Sequence, residues 1–230
     1  MLSTSSFLKT FVLLSILLGS AKHSYAQTDQ VDDELPAKKN SFKITPQAFI
    51  VSTFMLSYER YIASGISLQL TGGLMSAQKN GDESFYNPST GNNVNYPDKD
   101  KASGGMVEGM MKYYFLKGRS HMSGLYAGPY TRYSKNNFSL NTTTYNPNTN
   151  NTEPSKVDYT IETLEGGAVF GYQVVISNAF VMDMFVGGGI KTSNSTKPLT
   201  YTDDNTFWIL ESQDYNGVIP KAGFRLGFVF

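Results

Sequence analysis

Cysteine is absent from the 230 residues, which excludes disulfides, thiolate metal sites, a cysteine nucleophile and a lipid-modified N-terminal cysteine. Histidine is scarce: there are only His23 and His121, and the first falls in a segment expected to be removed. Charge of one sign does not dominate either, with 19 basic against 19 acidic residues, so nothing directs the chain to nucleic acid. Past the N-terminal segment no run of 18 apolar residues occurs, and no transmembrane helix is expected. What is plentiful is material for strands and tight turns: 15 Tyr, 15 Phe and 21 Gly, a mix that suits β-structure better than a helical bundle.

The N-terminus has the layout of a secretory signal. Lys9 precedes the short apolar run FVLLSILLG, and Ser24-Tyr25-Ala26 offers small residues before a cut, so residues 1–26 are expected to be cleaved after Ala26. The apolar run is well short of the roughly 20 residues needed to span a bilayer as a helix. Residues 27–40 (QTDQVDDELPAKKN) are polar and charged and read as a flexible periplasmic leader.

Residues 41–230 alternate with period two in segments separated by turn-rich stretches, the pattern of a membrane β-barrel. Eight segments are expected as strands: 42–50, 54–62, 66–79, 103–116, 123–140, 157–176, 179–193 and 215–230. The connections alternate in length. Residues 51–53 join the first pair, and 63–65, 117–122 and 177–178 follow the second, fourth and sixth strands. Long polar loops follow the third, fifth and seventh. Sorting by parity in this way is what a barrel with both ends in the periplasm requires. The fold class expected is therefore all-β, a transmembrane antiparallel up-and-down barrel of eight strands.

Alternation also assigns faces. In the last segment Val218, Pro220, Ala222, Phe224, Leu226, Phe228 and Phe230 share one side, while Lys221 and Arg225 fall on the other. Lipid can wet the first side, whereas Lys or Arg facing mid-bilayer costs about 2–4 kcal/mol. The same parity sends Lys43, Glu59, Glu108, Lys112, Arg132, Glu165, Asp183 and Lys191 inward. An eight-stranded barrel is only wide enough to be filled by its own side chains, so these ten residues, six basic and four acidic, are expected to form a packed polar network that leaves no open pore. Tyr58, Tyr61, Tyr113, Tyr126, Tyr130, Tyr133, Tyr159 and Tyr172 are expected near the membrane interfaces, where amphipathic rings are favoured. Pro46, Pro129 and Pro220 cannot donate to a ladder and are expected to mark irregularities.

The chain closes on AGFRLGFVF, an alternating strand with an aromatic last residue. This resembles the C-terminal recognition signal of outer-membrane barrels, and the resemblance implies that Phe224, Leu226, Phe228 and Phe230 are read by the barrel assembly machinery. With LSYERYIASGISLQLTGG, a strand, minimal turn and second strand, the whole of 41–230 resembles the small eight-stranded outer-membrane barrels of the OmpA and OmpX type, within an uncharacterised group of exported barrels. The resemblance implies residence in the cell outer membrane and contact with its lipid and lipopolysaccharide. It brings no catalytic residue, and no peptidoglycan-binding domain is expected after the barrel.

An enzyme of the lipid A acylase or deacylase kind is the alternative, since some small barrels carry that chemistry. It needs a histidine beside a serine near the outer leaflet, often with a carboxylate. His121, between Ser120 and Ser123 in KGRSHMSG, is expected on a periplasmic turn with no acid nearby. The acidic pairs Asp82-Glu83, Asp98 with Asp100, and Asp203-Asp204 sit in two of the three long loops, and the three together hold nine acids and four bases. They are oxygen-rich enough for calcium but match no calcium-loop pattern, and solvated acidic loops are the simpler expectation. Sequons at Asn137, Asn141, Asn150 and Asn194 arise by chance in such loops. Phe207-Trp208-Ile209-Leu210 extends a strand above the bilayer or forms a contact patch. A soluble secreted barrel with an apolar ligand inside would need apolar inward positions, against the charges found there.

The expectation is thus a non-enzymatic, monomeric outer-membrane barrel without cofactor or metal. Its role would be structural in the envelope, or adhesion and ligand contact through long extracellular loops.

Overall fold

A computed structural model describes residues 38–79, 84–87, 91–95, 100–117, 120–146, 151–196 and 214–230. The strands are β1 (Asn40–Ile44), β2 (Thr53–Ala63), β3 (Ile66–Lys79), β4 (Ser84–Asn87), β5 (Asn92–Asn95), β6 (Asp100–Lys117), β7 (Gly124–Asn146), β8 (Asn151–Ile176), β9 (Phe180–Ser195) and β10 (Gly217–Val229), with a 3₁₀ segment at Pro46–Val51. Eight of them close a ring in the order β1-β10-β9-β8-β7-β6-β3-β2, and β4 pairs with β5 in a separate two-stranded sheet. Every neighbouring pair is antiparallel. The chain is an all-β, up-and-down barrel.

The turns explain the sharp reversals at one end. Ser64 and Gly65 join β2 to β3, and Ser177 and Asn178 lie between β8 and β9; all four have positive φ, the backbone twist that matches antiparallel strands in tight hairpins. At this same end the ring is sealed. Asn40 and Phe230 exchange both backbone hydrogen bonds (3.1 and 2.8 Å), and the Phe230 ring stacks on Phe42 at 5.4 Å.

Outward positions carry Phe42, Leu56, Leu70, Met111, Phe115, Phe170, Val186, Leu226 and Phe228, all exposed. Toward the long-connection end this belt gives way to Ser76, Ser103, Lys135, Glu162 and Thr192. Lys135 and Glu162 pair there at 2.8 Å on adjacent strands. Among described residues of the belt, Arg60 is a charged exception; it lies near the Ser64–Gly65 turn, where a long stem can cover apolar surface while its head reaches water.

Three expectations about strand bounds are corrected. The first strand ends at Ile44 rather than at 50, because Pro46 lacks the N–H to continue the ladder and starts the 3₁₀ segment instead. The expected loop over 141–156 is largely ladder, with Asn141–Asn146 facing Asn151–Lys156 in register; threonine-rich segments prolong a hairpin that the barrel has already nucleated. Likewise β6 starts at Asp100, opposite Lys79, rather than at 103.

Tyr61, Tyr126, Tyr130 and Tyr159 are buried inside, contrary to the belt expected of them, whereas Tyr113, Tyr133 and Tyr172 are exposed outward. The reason is parity: Tyr126 and Tyr130 share a face with Arg132. Pro129 also has a local consequence. The β6–β7 pairing runs from Met110↔Tyr130 to Tyr113↔Ala127 with no ladder pair at Met111 and Lys112, an interruption without change of register.

Candidate functional site

Inside the ring, side chains stack in layers. Nearest the turn end, Tyr61, Met122, Val181 and Val229 form an apolar floor. Above it lies an ionic layer built by β1, β2, β6, β8 and β9. Lys43 donates from Nζ to Glu59 Oε2, to Gln173 Oε1 at 3.0 Å and to Asp183 Oδ2 at 3.1 Å. Lys112 donates to the same three atoms at 3.1, 2.9 and 2.7 Å. An ammonium has three N–H groups, so each lysine is saturated by two carboxylates and one amide oxygen.

The carboxylates are saturated from their other oxygens. Glu59 Oε1 accepts from Tyr114 at 2.8 Å and from Ser67, and Asp183 Oδ1 accepts from the Tyr126 hydroxyl at 2.6 Å. Glu59 and Asp183 are 0% exposed. Such charges persist only where every one is paired and hydrogen-bonded.

A second ionic layer lies toward the long-connection end. Arg132 donates from Nε and Nη2 to Glu108 Oε2 at 2.8 and 2.6 Å, and Lys221 donates to the same oxygen at 2.7 Å. Glu165 accepts from Tyr130 at 2.6 Å and lies 3.5 Å from Lys221. Arg225 joins the layers, reaching Asp183 Oδ2 at 3.3 Å and Glu108 Oε1 at 3.1 Å. Rings brace the cations: Lys112 lies over Tyr126, Lys221 over Tyr130 and Arg225 over Phe185, at 4.4, 3.7 and 4.1 Å from the ring centres. Lys191 is buried on β9 opposite Glu165. All ten charged residues named from alternation therefore face the interior. Alternation alone did not single out Gln173, Tyr114, Tyr126 and Tyr130; each shares parity with a named charge on its strand, which was the available signal.

The wall has a seam. β1 stops at Ile44↔Leu226, so among described residues the β10 edge from Gly217 to Arg225 has no strand on its β1 side. The segment Pro46–Val51 lies across this seam. Ala48 is buried, while Phe49 and Ile50 face out, Ile50 being 78% exposed. With its amide turned to match, Gln47 donates to the Phe224 carbonyl at 2.8 Å and accepts from the Phe224 N–H at 3.1 Å, replacing the peptide that a longer β1 would have supplied. A Cβ at Gly223 would overlap the Gln47 amide, so glycine is needed for this approach. Pro220 has the same parity as Phe224, and its missing N–H would have pointed into the seam, where no ladder bond is lost.

The C-terminal residues Phe224, Leu226, Phe228 and Phe230 form the outward face of β10 and its end. His121 lies at the turn end, stacked on Tyr61 at 4.9 Å, far along the strands from the long connections. Of the acidic pairs, Asp100 alone is in a described strand, opposite Lys79; Asp82, Glu83, Asp98, Asp203 and Asp204 lie outside the described residues, as do Phe207 to Leu210. Among the described residues no group of three His, Asp or Glu is arranged to hold a metal ion.

A closed ring of eight strands with an apolar outside and a cross-linked ionic inside has the architecture of the small outer-membrane barrels of the OmpA and OmpX type. The chain belongs to the family described as "Protein of unknown function (DUF3575)", whose pattern matches residues 13–230. No curated protein matches it by sequence. It is similar to the crystal structure of Acinetobacter baumannii CarO2, with 10% identity, 86% of this chain and 100% of that one covered, and a TM-score of 0.38. It is also similar to the N-terminal β-barrel domain of Pseudomonas aeruginosa OprF, with 13% identity, 84% and 98% covered, and a TM-score of 0.29.

Proposed function

We propose that the protein is a non-enzymatic barrel of the outer membrane, exported by a signal cleaved after Ala26. In this reading it stands as a monomer with its turn end in the periplasm and its long connections outside. The observation that carries it is the sidedness of the closed ring: apolar residues face out around the belt while the ionic layers face in. In water that arrangement would expose a continuous apolar surface far beyond what a soluble monomer tolerates. In a bilayer the closed ladder pairs the backbone groups of adjacent strands, apart from the seam and the β6–β7 interruption at Pro129.

The cross-linked ionic layers filling the lumen favour a structural or contact role over conduction. Contact would fall to the extended β7–β8 hairpin and the other long connections, offered to an extracellular ligand or surface, with lipopolysaccharide around the belt. The barrel assembly machinery would read Phe224, Leu226, Phe228 and Phe230 during insertion. His121 sits at the end assigned to the periplasm, stacked on a tyrosine, and the geometry offers no support for lipid-modifying chemistry there.

The test is a heat-modifiability gel on outer-membrane fractions of wild type and of a variant lacking Phe230. Membrane-bound wild type should migrate as a compact band that shifts on boiling, and the truncated chain should give markedly less of it. Soluble protein without a shift would overturn the assignment.

A further inference from the structure

Beneath the seam lies a cavity of ≈ 260 Å³ whose lining includes Thr45, Glu108, Arg132, Glu165, Lys221 and Arg225. Its wall carries three cations against two carboxylates, an excess of one positive charge. The layer below cannot cancel it, because Lys43 and Lys112 are already matched there by Glu59 and Asp183. Lys221 and Arg225 are buried while Arg132 keeps a quarter of its side chain exposed, so the excess charge is only partly hydrated and a group of opposite sign is favoured beside it.

Two donors on the same wall point to what that is. Among the described residues, Arg225 Nε and Thr45 Oγ1 are buried without a hydrogen-bond partner, and their residues are only 2% and 6% exposed. Thr45 immediately precedes the 3₁₀ segment, where a threonine hydroxyl commonly caps the backbone, yet its side chain makes no such bond. Arg225 Nε can only donate, so its partner must be an acceptor. A neutral acceptor would satisfy the donors and leave the charge; an oxyanion answers both.

We propose that this cavity binds one small oxyanion of the phosphate type, held by Arg225 Nε and the Thr45 hydroxyl within the field of Arg132 and Lys221. A singly charged phosphate group makes the wall neutral. Pro220 and Ala222, whose side chains lie on the outward face of β10, also line the cavity, so the site adjoins the outer surface along the seam. The anion is therefore either free phosphate or the phosphate of a lipid beside the barrel.

The experiment uses the full mature chain folded in a phosphate-free glycoside detergent, titrated with inorganic phosphate and followed by calorimetry and by ³¹P line width. Saturable binding at one phosphate per chain is expected, weakened about tenfold in Thr45→Val and in Arg225→Lys, the equivalent of one charge-assisted hydrogen bond. Arg225→Lys keeps the charge and removes Nε. Should it fail to give the compact unboiled band, Thr45→Val decides alone, since it keeps the shape and deletes a hydroxyl without a protein partner. Lipid A is then added as competitor: displacement of phosphate assigns the site to lipid, and no displacement assigns it to the free anion. Binding of lipid A alone, weakened by the same variants, also supports the site. The proposal is overturned if neither probe binds saturably, or if both variants bind as wild type does.

Discussion

Asp183→Asn is the sharpest probe of the ionic interior. Asp183 Oδ2 faces Lys43, Lys112 and Arg225 at 3.1, 2.7 and 3.3 Å, and Oδ1 takes the Tyr126 hydroxyl at 2.6 Å. The substitution preserves shape but deletes the charge, and the amide nitrogen adds a donor among donors. The linked network of five cations (Lys43, Lys112, Arg132, Lys221, Arg225) and four carboxylates (Glu59, Glu108, Glu165, Asp183) then rises from one excess positive charge to two. Breaking a buried pair in this way costs about 3–5 kcal/mol, because the partner charge is left uncompensated. The assay is urea unfolding in detergent micelles, read as the fraction of compact band on unboiled gels, with the midpoint converted through the urea slope. Adding Lys112→Met removes one stranded ammonium, so the double variant should lose at least about 1 kcal/mol less than the sum of the two single losses. A loss below about 1 kcal/mol for Asp183→Asn, the scale of an exposed pair, would refute the claim that these charges are mutually dependent.

Gln47→Ala should strip both backbone groups of Phe224 of their partner, costing about 2 kcal/mol or more since each unsatisfied buried group costs about 1–3; Phe224 amide exchange should accelerate while Leu226, paired with β1, stays protected, and equal protection at Phe224 in both proteins would contradict the surrogate role. Gly227→Ala places a Cβ into the Phe42 carbonyl across the closing β1–β10 pair, so the compact band should be largely lost, whereas Gly72→Ala, with nothing within 4 Å, should retain it. In planar bilayers, wild type should conduct little, and Lys112→Ala combined with Gln173→Ala should conduct measurably more; a wild-type conductance already as high as the variant's would remove the plug.

The sequence by itself determined the ring and its sidedness. Strand periodicity is a local property: once Lys221 and Arg225 alternate with Phe224, Leu226 and Phe228, the membrane leaves one assignment of faces, and parity carries it along each strand. Loop lengths, also local, sorted the two ends. Tyr126 and Tyr130 were equally legible through their parity with Arg132, but the interfacial preference of tyrosine pointed elsewhere, and burial against carboxylates outweighed it.

Tertiary structure decided which charges meet. Lys43 and Asp183 are 140 residues apart, and their contact depends on the register of strands around the whole ring, which no local pattern encodes. The seam is of the same kind. Pro46 showed that a ladder must fail near it, yet only the closed ring shows that β10 continues past the end of β1, that Gln47 fills in for the absent peptide, and that a cavity with one unmatched positive charge lies behind. The physical reason is that alternation specifies direction, inward or outward, whereas height and partner inside the barrel come from shear and closure, properties of all eight strands together.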